Sequence, residues 1–327
     1  MSRLRALLAT LRIANAPSVV SNVWLGFMVG WIQIDSYWDA SQMPWSRVGL
    51  ACLAGLFLYF AGNLANDWYD RKWDAEKRPE RALPSGLFNP ASYLFAALFL
   101  AASGVASGFL LNPMSGYTAI AICALIATYT YFHKKAMWAV IPMGLCRAGL
   151  YFLGFFSSWL GVAYLESIGY DGWSYALHKL QTPSILAVGL FSYIVGLSLS
   201  ARYEGMPDAP QGPKVISLAL LIVPIMAMSS SYMSEYPVFG ILGMLPFVLW
   251  LTLCLTRFKK PIPRYVSALL AGIPLVDFIA AAPLALGLEN SLLQQSLRDL
   301  PHLVLLILIP LAAFILGRLL QKVAPAT

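Results

Sequence analysis

Apolar runs about twenty residues long alternate with short polar turns along most of this chain. Ten such runs are found, at 17–35, 46–66, 90–111, 117–132, 137–163, 182–203, 214–233, 237–256, 264–287 and 302–320. About 20 apolar residues in helical form match a hydrocarbon core of ~30 Å. Lipid admits only segments whose backbone polar groups are satisfied internally. The pattern therefore predicts an all-α, polytopic transmembrane helix bundle of nine to ten spans, with residues 1–327 forming a single domain. Pro142, Pro224, Pro246, Pro274 and Pro283 fall in or near spans and predict kinks. The polar turns sort by charge. With the N-terminus on the cytoplasmic side, Arg3, Arg5, Arg12, the 71–81 cluster, Lys134, Lys135, Arg202, Lys214, the 257–264 cluster, Arg318 and Lys322 all fall inside, and only Arg47, Lys179 and Arg298 fall outside. That asymmetry is the positive-inside pattern.

Composition agrees. The chain is 59% apolar and 11% charged, against roughly 45–50% and about 25% in soluble domains. The net charge of +7 is a topology signal, so no nucleic-acid partner is expected; the lipid bilayer is. The cysteines Cys52, Cys123, Cys146 and Cys254 form no CxxC pair, and neither a zinc site nor a disulfide framework is indicated. No cleavable signal peptide is expected, because the first span is too long for a signal-peptide core.

One segment breaks the apolar pattern. Asn66-Asp67-Trp68-Tyr69-Asp70-Arg71-Lys72-Trp73-Asp74 follows the second span directly. In a helix, Asn66, Asp70 and Asp74 share a face, because positions four apart stack on successive turns. Three hard oxygen ligands at a membrane boundary suit Mg²⁺, which binds through one or two carboxylates plus substrate phosphates. The alternative is a solvated surface where Arg71, Lys72, Lys77, Arg78 and Arg81 pair with the acids. It explains the charge balance but not the four-residue register.

The run, with Arg81-Ala82-Leu83-Pro84-Ser85-Gly86 downstream, resembles the first signature of the UbiA superfamily of intramembrane prenyltransferases. Ala82 stands where the family usually has proline, and Tyr131-Phe132-His133-Lys134-Lys135 is similar to a basic pair often found at that boundary. The resemblance implies a helical bundle around a cavity, with acidic loops after the second and sixth spans. It implies a prenyl diphosphate donor bound through Mg²⁺, and a small hydrophobic acceptor, an aromatic one among the candidates. Asn66, Asp67, Asp70, Asp74 and Glu204 are the expected metal residues. Arg81, Lys134, Lys135, Arg147 and Arg202 are the expected diphosphate contacts. Tyr59, Trp68, Tyr129, Tyr131 and Tyr193 are aromatic candidates for stabilising an allylic cation. Asp70 and Asp74, with Arg147 and Asp277, are the expected catalytic set.

The family's second signature is altered here. Ser200, Glu204 and Asp208 keep the four-residue spacing, but Pro207 is expected to end the helix before Asp208. Arg147 and Asp277 lie inside the fifth and ninth spans, where charges are costly and usually face a bundle interior or polar cavity. A direct Arg147–Asp277 ion pair is one expectation, and a substrate contact is the other. These features resemble the EboC branch of the superfamily, which is linked to bacterial secondary metabolism. A non-catalytic membrane protein that binds or moves a hydrophobic metabolite is the competing reading. His133 is expected to be an interfacial residue, with a place beside Lys134 at the phosphate end as the alternative, and Asn63 an interhelical hydrogen bonder, with a place in the cavity lining as the alternative.

Overall fold

The structure, a computed structural model, describes residues 3–34, 43–158, 179–204, 211–229, 237–292 and 300–324. Described residues with regular structure are helical throughout. The elements are α1 (Arg3–Thr10), α2 (Ala16–Ile34), α3 (Trp45–Lys77), α4 (Pro90–Leu111), α5 (Pro113–Phe132), α6 (Val140–Ser157), α7 (Gln181–Glu204), α8 (Gln211–Ser229), α9 (Pro237–Thr256), α10 (Ile262–Ala271), α11 (Ile273–Leu292) and α12 (Leu300–Val323). In its described residues each apolar run of the sequence falls on a helix, and the run at 264–287 is divided between α10 and α11. Eight described helices, counting α10 and α11 as one, are long and apolar enough to cross a membrane, and Gly212–Met228 is a shorter apolar helix.

Asn89 and Asn112 start α4 and α5. Each accepts a hydrogen bond from a first-turn amide, with proline in the next position. The α10–α11 break sits at Gly272. Tyr193 Oη donates to the Leu269 carbonyl at 2.8 Å, and Trp250 Nε1 donates to the Ala268 carbonyl at 2.9 Å. Carbonyls freed at the break are thus satisfied by neighbouring helices, as a buried backbone requires.

Helices α3 to α7 follow one another as packed neighbours, and α8 lies on α7. Helix α2 runs through the middle, packed on α6, α3, α12 and α11. Its crossing with α6 is close. A methyl group at Gly26 would overlap the Tyr151 carbonyl, and one at Gly154 would overlap the Val23 carbonyl. The two backbones touch directly, as small residues permit in membrane bundles. Helix α3 is 33 residues long, about 50 Å at 1.5 Å per residue. It exceeds the ~30 Å core, and its last turns carry the charged run beyond the apolar span as unbroken helix.

Gly154→Ala is expected to force α2 and α6 apart and destabilise the protein by about 1–3 kcal/mol. A methyl at Gly49 would meet nothing within 4 Å, and Gly49→Ala should leave stability unchanged or slightly raised. Thermal unfolding of both variants in detergent, followed by size-exclusion chromatography, checks the contrast.

Candidate functional site

The helical register brings the predicted face together. Asn66, Asp70 and Asp74 are all buried, at 7%, 5% and 2% exposure. The chain after α3 folds back onto them. The Arg78 amide donates to the Asp74 carbonyl at 2.7 Å, and the Ser85 amide donates to the Arg81 carbonyl. Gly86 turns the chain at φ 73°, a conformation that glycine adopts without steric cost. Leu83 is pinned in a small apolar cluster with Leu64, Tyr93 and Ala97. Arg81 is thereby held against the acids, with Nη1 at 2.9 Å from Asp74 and 3.7 Å from Asp67.

A second strand of the site comes from the end of α5. Lys134 Nζ lies 2.8 Å from Asp70 Oδ1, and His133 Nε2 lies 3.0 Å from Asp70 Oδ2. The His133 Nδ1 donates to the Thr130 carbonyl, which fixes the ring. His133 is therefore part of the acidic centre, at the phosphate end beside Lys134, and not merely an interfacial residue. Lys134 also rests on the Trp73 ring at 3.8 Å.

Next to this centre a cavity of about 480 Å³ runs into the bundle between α3, α5, α6, α7 and the α10–α11 junction. Asn66, Arg78, Arg81, His133 and Arg202 line its charged end, and Leu58, Ile122, Leu150, Ile194 and Ile273 line its apolar walls. Tyr59 and Tyr129 also face it. Of the other aromatic candidates, Tyr193 is fully buried away from it, Trp68 stacks with Arg71, and Tyr131 is exposed on the outer rim.

The N-terminal segment adds two residues that sequence reasoning missed. Arg12 has a left-handed backbone, φ 48°, a conformation that costs a non-glycine residue roughly 1–2 kcal/mol. Tyr59 Oη donates to its carbonyl at 3.0 Å, and Asn63 Nδ2 donates to the Leu11 carbonyl at 3.0 Å. These bonds hold the kink that places Arg12 and Asn15 in the cavity wall. Burial works against the Arg12 charge, but Asp67, Tyr59, Tyr129 and Asp70 outweigh it and raise its pKa. No motif signalled Arg12, whose place depends on a chain reversal.

One expectation is corrected here. Lys135 does not reach the cavity. Its ammonium sits 3.5 Å over the exposed Tyr131 ring, and a hydrogen bond with Tyr69, then one with Tyr131, raises its pKa. Arg147 lines the cavity but lies beside Tyr59, 5.2 Å from its ring. Tyr59 and Asp70 are eleven residues apart on α3, about 16 Å along the axis.

Asp277 lies outside the cavity wall. It is fully buried and accepts hydrogen bonds from Ser21, from Asn22 at 2.8 and 2.9 Å, and from Tyr151 at 2.5 Å. Among the described residues it makes no direct ion pair with Arg147. Arg147 Nη1 instead donates to Ser18 Oγ and to Asn22 Oδ1, and Asn22 carries the link to Asp277. Neutral donors hold the carboxylate, so Asp277 positions α2, α6 and α11 rather than touching a ligand.

The altered second signature is only partly described. The Ser200 and Tyr265 hydroxyls share a hydrogen bond of 2.7 Å, so Ser200 is engaged as a packing contact. The Glu204 side chain and Asp208 lie outside the described residues.

As to a metal, the Asn66 Oδ1 and Asp74 Oδ1 atoms are buried without a hydrogen-bond partner. Such orphaned oxygens are costly unless something occupies them, and they flank Asp70 on one face. Among the described residues no three Asp, Glu, His or Cys side chains converge as a ready-made cage. A hard cation that takes its remaining ligands from water and phosphate fits that donor set.

Comparison with known proteins follows the same outline. Residues 24–275 match the UbiA prenyltransferase family. The chain belongs to that family. A digeranylgeranylglyceryl phosphate synthase of Korarchaeum cryptofilum is 34% identical over 88 residues, 27% of this chain and 29% of that protein. A protoheme IX farnesyltransferase of Pyrobaculum arsenaticum is 28% identical over 225 residues, 67% of this chain and 76% of that protein. The match thus spans under a third of the first relative and about three quarters of the second. The apo structure of a UbiA homolog from Aeropyrum pernix K1 superposes with a TM-score of 0.63 at 14% identity, covering 84% of this chain and 98% of that one. The UbiA fold and the membrane-embedded helical bundle therefore hold for this chain.

The Asp277 cluster generates a stability prediction. Asp277→Ala strands three donors, each costing about 1–3 kcal/mol when buried and unpaired. Tyr151→Phe removes one bond and leaves Asp277 with Asn22 and Ser21. Thermal unfolding should therefore rank the wild type above Tyr151→Phe, and Tyr151→Phe well above Asp277→Ala.

Proposed function

We propose that this protein is an integral-membrane prenyltransferase that moves an isoprenoid group from a prenyl diphosphate to a small hydrophobic, aromatic acceptor. The pairing of Asn66 Oδ1 and Asp74 Oδ1, both orphaned beside Asp70, with a cation-rich cavity mouth carries this reading. Family membership supports it, as does the similarity to a protoheme IX farnesyltransferase.

In this reading Asn66, Asp70 and Asp74 hold Mg²⁺, with Asp67 beside them and Glu204 as the candidate for a second ion. The metal, when bound, supplies Lewis acidity to the leaving diphosphate. Arg12, Arg78, Arg81, Lys134 and Arg202 orient the diphosphate oxygens through charge-assisted hydrogen bonds. The donor's C–O bond breaks with its electron pair on the diphosphate. The acceptor's nucleophilic atom then bonds to the allylic carbon and releases a proton. Tyr59 and Tyr129 present ring faces to the developing positive charge, and the apolar walls exclude water that would quench it. The charged face belongs on the cytoplasmic side of a bacterial inner membrane, and the EboC-like branch, with a role in secondary metabolism, is the assignment within the family.

One observation favours a second reading. Ser200 is committed to Tyr265, which weakens the second signature and suits a protein that binds or moves a metabolite without transfer chemistry. Release of diphosphate from farnesyl diphosphate separates the two. The enzyme reading expects Mg²⁺-dependent release that EDTA abolishes and that Asp70→Ala lowers by at least about 100-fold, within the range seen when a main electrostatic contributor is removed. Purified protein that binds no prenyl diphosphate, with or without Mg²⁺, rules that reading out.

A further inference from the structure

Away from the acidic centre lies a block of positive charge that the transfer chemistry does not use. Arg257, Lys259, Lys260 and Arg264 fall between α9 and the first turn of α10, and Arg318 and Lys322 end α12. Residues 237–276 and 300–327 contain no Asp or Glu. None of the six cations lines the central cavity. A methyl group at Gly317 would stand 3.1 Å from the Ala14 carbonyl, and Arg5 Nε donates to the Val323 carbonyl at 3.1 Å. The block therefore lies at the end of the bundle where Arg12 meets Asp67 and the acidic centre. Topology asks only for loop cations at one end of the spans. It does not ask for guanidinium groups fixed in place.

Two of these cations are fixed. Arg264 lies 4.8 Å and Arg318 5.8 Å from the centre of the same ring, Phe258. Arg318 is also 5.2 Å from the Trp250 ring, which packs edge-on against Phe314 and donates to the Ala268 carbonyl. Arg318 Nη1 donates to Gln321 at 2.7 Å, and Gln321 donates to the Ser267 carbonyl at 2.8 Å. Side chains from α9, α10 and α12 thus bring two like charges onto one phenyl ring. Among the described residues neither guanidinium meets a carboxylate, and the Arg264 guanidinium donates to no protein acceptor. A guanidinium lying on a ring keeps its in-plane N–H donors available to an anion. Binding that anion also relieves the repulsion between the pair. Beside them the outer faces of α9 and α12 are apolar, with Leu249, Leu253, Leu316 and Leu319 exposed.

We infer that this face, where α9, α10 and α12 meet, holds the headgroup of an anionic glycerophospholipid. The phosphodiester oxygens accept from Arg264 and from the part of Arg318 beyond Nη1, and the acyl chains run down the leucine face below. Basic pockets between transmembrane helices take lipid phosphates in this way. Charge complementarity selects the occupant, because a surface of this sign without a carboxylate offers nothing to the ammonium of a zwitterionic headgroup. Helix α10 turns Val266 and Leu270 to the central cavity, so a lipid held at Arg264 sits behind one of the cavity walls. The site stands independently of the transferase reading.

The test is native mass spectrometry of the purified full chain, titrated with dioleoyl phosphatidylglycerol or dioleoyl phosphatidylcholine. The acyl chains are identical, so a difference reads the headgroup. The first phosphatidylglycerol is expected to bind at least about tenfold more tightly, a difference of about 1.4 kcal/mol. Arg264→Gln with Arg318→Gln should bring the two lipids within about twofold of each other on that scale. Arg264→Gln alone, at an exposed position, should cut the preference at least about threefold, and it decides the matter if the double variant does not fold. Lys72→Gln with Lys77→Gln removes two other exposed cations and should keep the preference. Inorganic phosphate in large excess should not displace the lipid, because it carries no acyl chains. Equal binding of the two lipids by the wild type overturns the inference. A preference that survives loss of Arg264 and Arg318, or falls equally with Lys72 and Lys77, overturns it by assigning the effect to general basic charge. Displacement by inorganic phosphate overturns it by making the site one for a free anion.

Discussion

Backbone contact between α2 and α6 is the constraint on which the site depends. Gly26 and Gly154 let the two helices touch, and that closeness brings Ser18 and Asn22 within hydrogen-bond reach of Arg147, and lets Ser21 and Asn22 share Asp277 with Tyr151. A wider crossing would leave a guanidinium and a carboxylate in the bundle without short neutral partners. The desolvation cost of buried charges makes that arrangement untenable. Van der Waals contact at two glycines thus permits a polar network that no hydrophobic packing could tolerate by itself. Asp277 then draws α11 into the same cluster, so three helices widely separated in sequence share one polar core.

The acidic centre follows a different logic. Each carboxylate there meets a cation from another segment: Arg81 from the loop after α3 and Lys134 from the end of α5, with the His133 ring beside Lys134. The acids are therefore not left bare at the membrane boundary. The cations that quiet them are also the groups suited to meeting phosphate oxygens. Exchange of partners, rather than creation of new charge, is the chemistry this arrangement permits.

What the sequence made legible was whatever helical periodicity alone determines. The apolar runs gave the helices, and the Asn66–Asp70–Asp74 face emerged because a continuous α3 carries it. The depth of Arg147 was also readable from its place in the fifth run. Its partners were not, because Ser18 and Asn22 reach it only through the α2–α6 crossing. Arg12 and Asn15 depend on a left-handed turn held by Tyr59 and Asn63, and no local pattern announces such a turn. His133 and Lys135 are two residues apart, yet one points at Asp70 and the other at Tyr131. Direction at a helix end is a tertiary outcome.

Because α3 carries both Tyr59 at the inner end of the cavity and Asp70 near its mouth, the two ends of the site are mounted on one rigid rod. Their spacing is set by helical rise and not by any loop. One residue inserted between them would turn the acidic face by about 100° relative to the cavity wall and dismantle the site while leaving a perfectly good span. Insertions between Gly86 and Asn89, beyond Arg81 and Leu83, leave that geometry untouched. The chain is therefore brittle to length changes inside a regular helix and forgiving only where the loop has already passed the site.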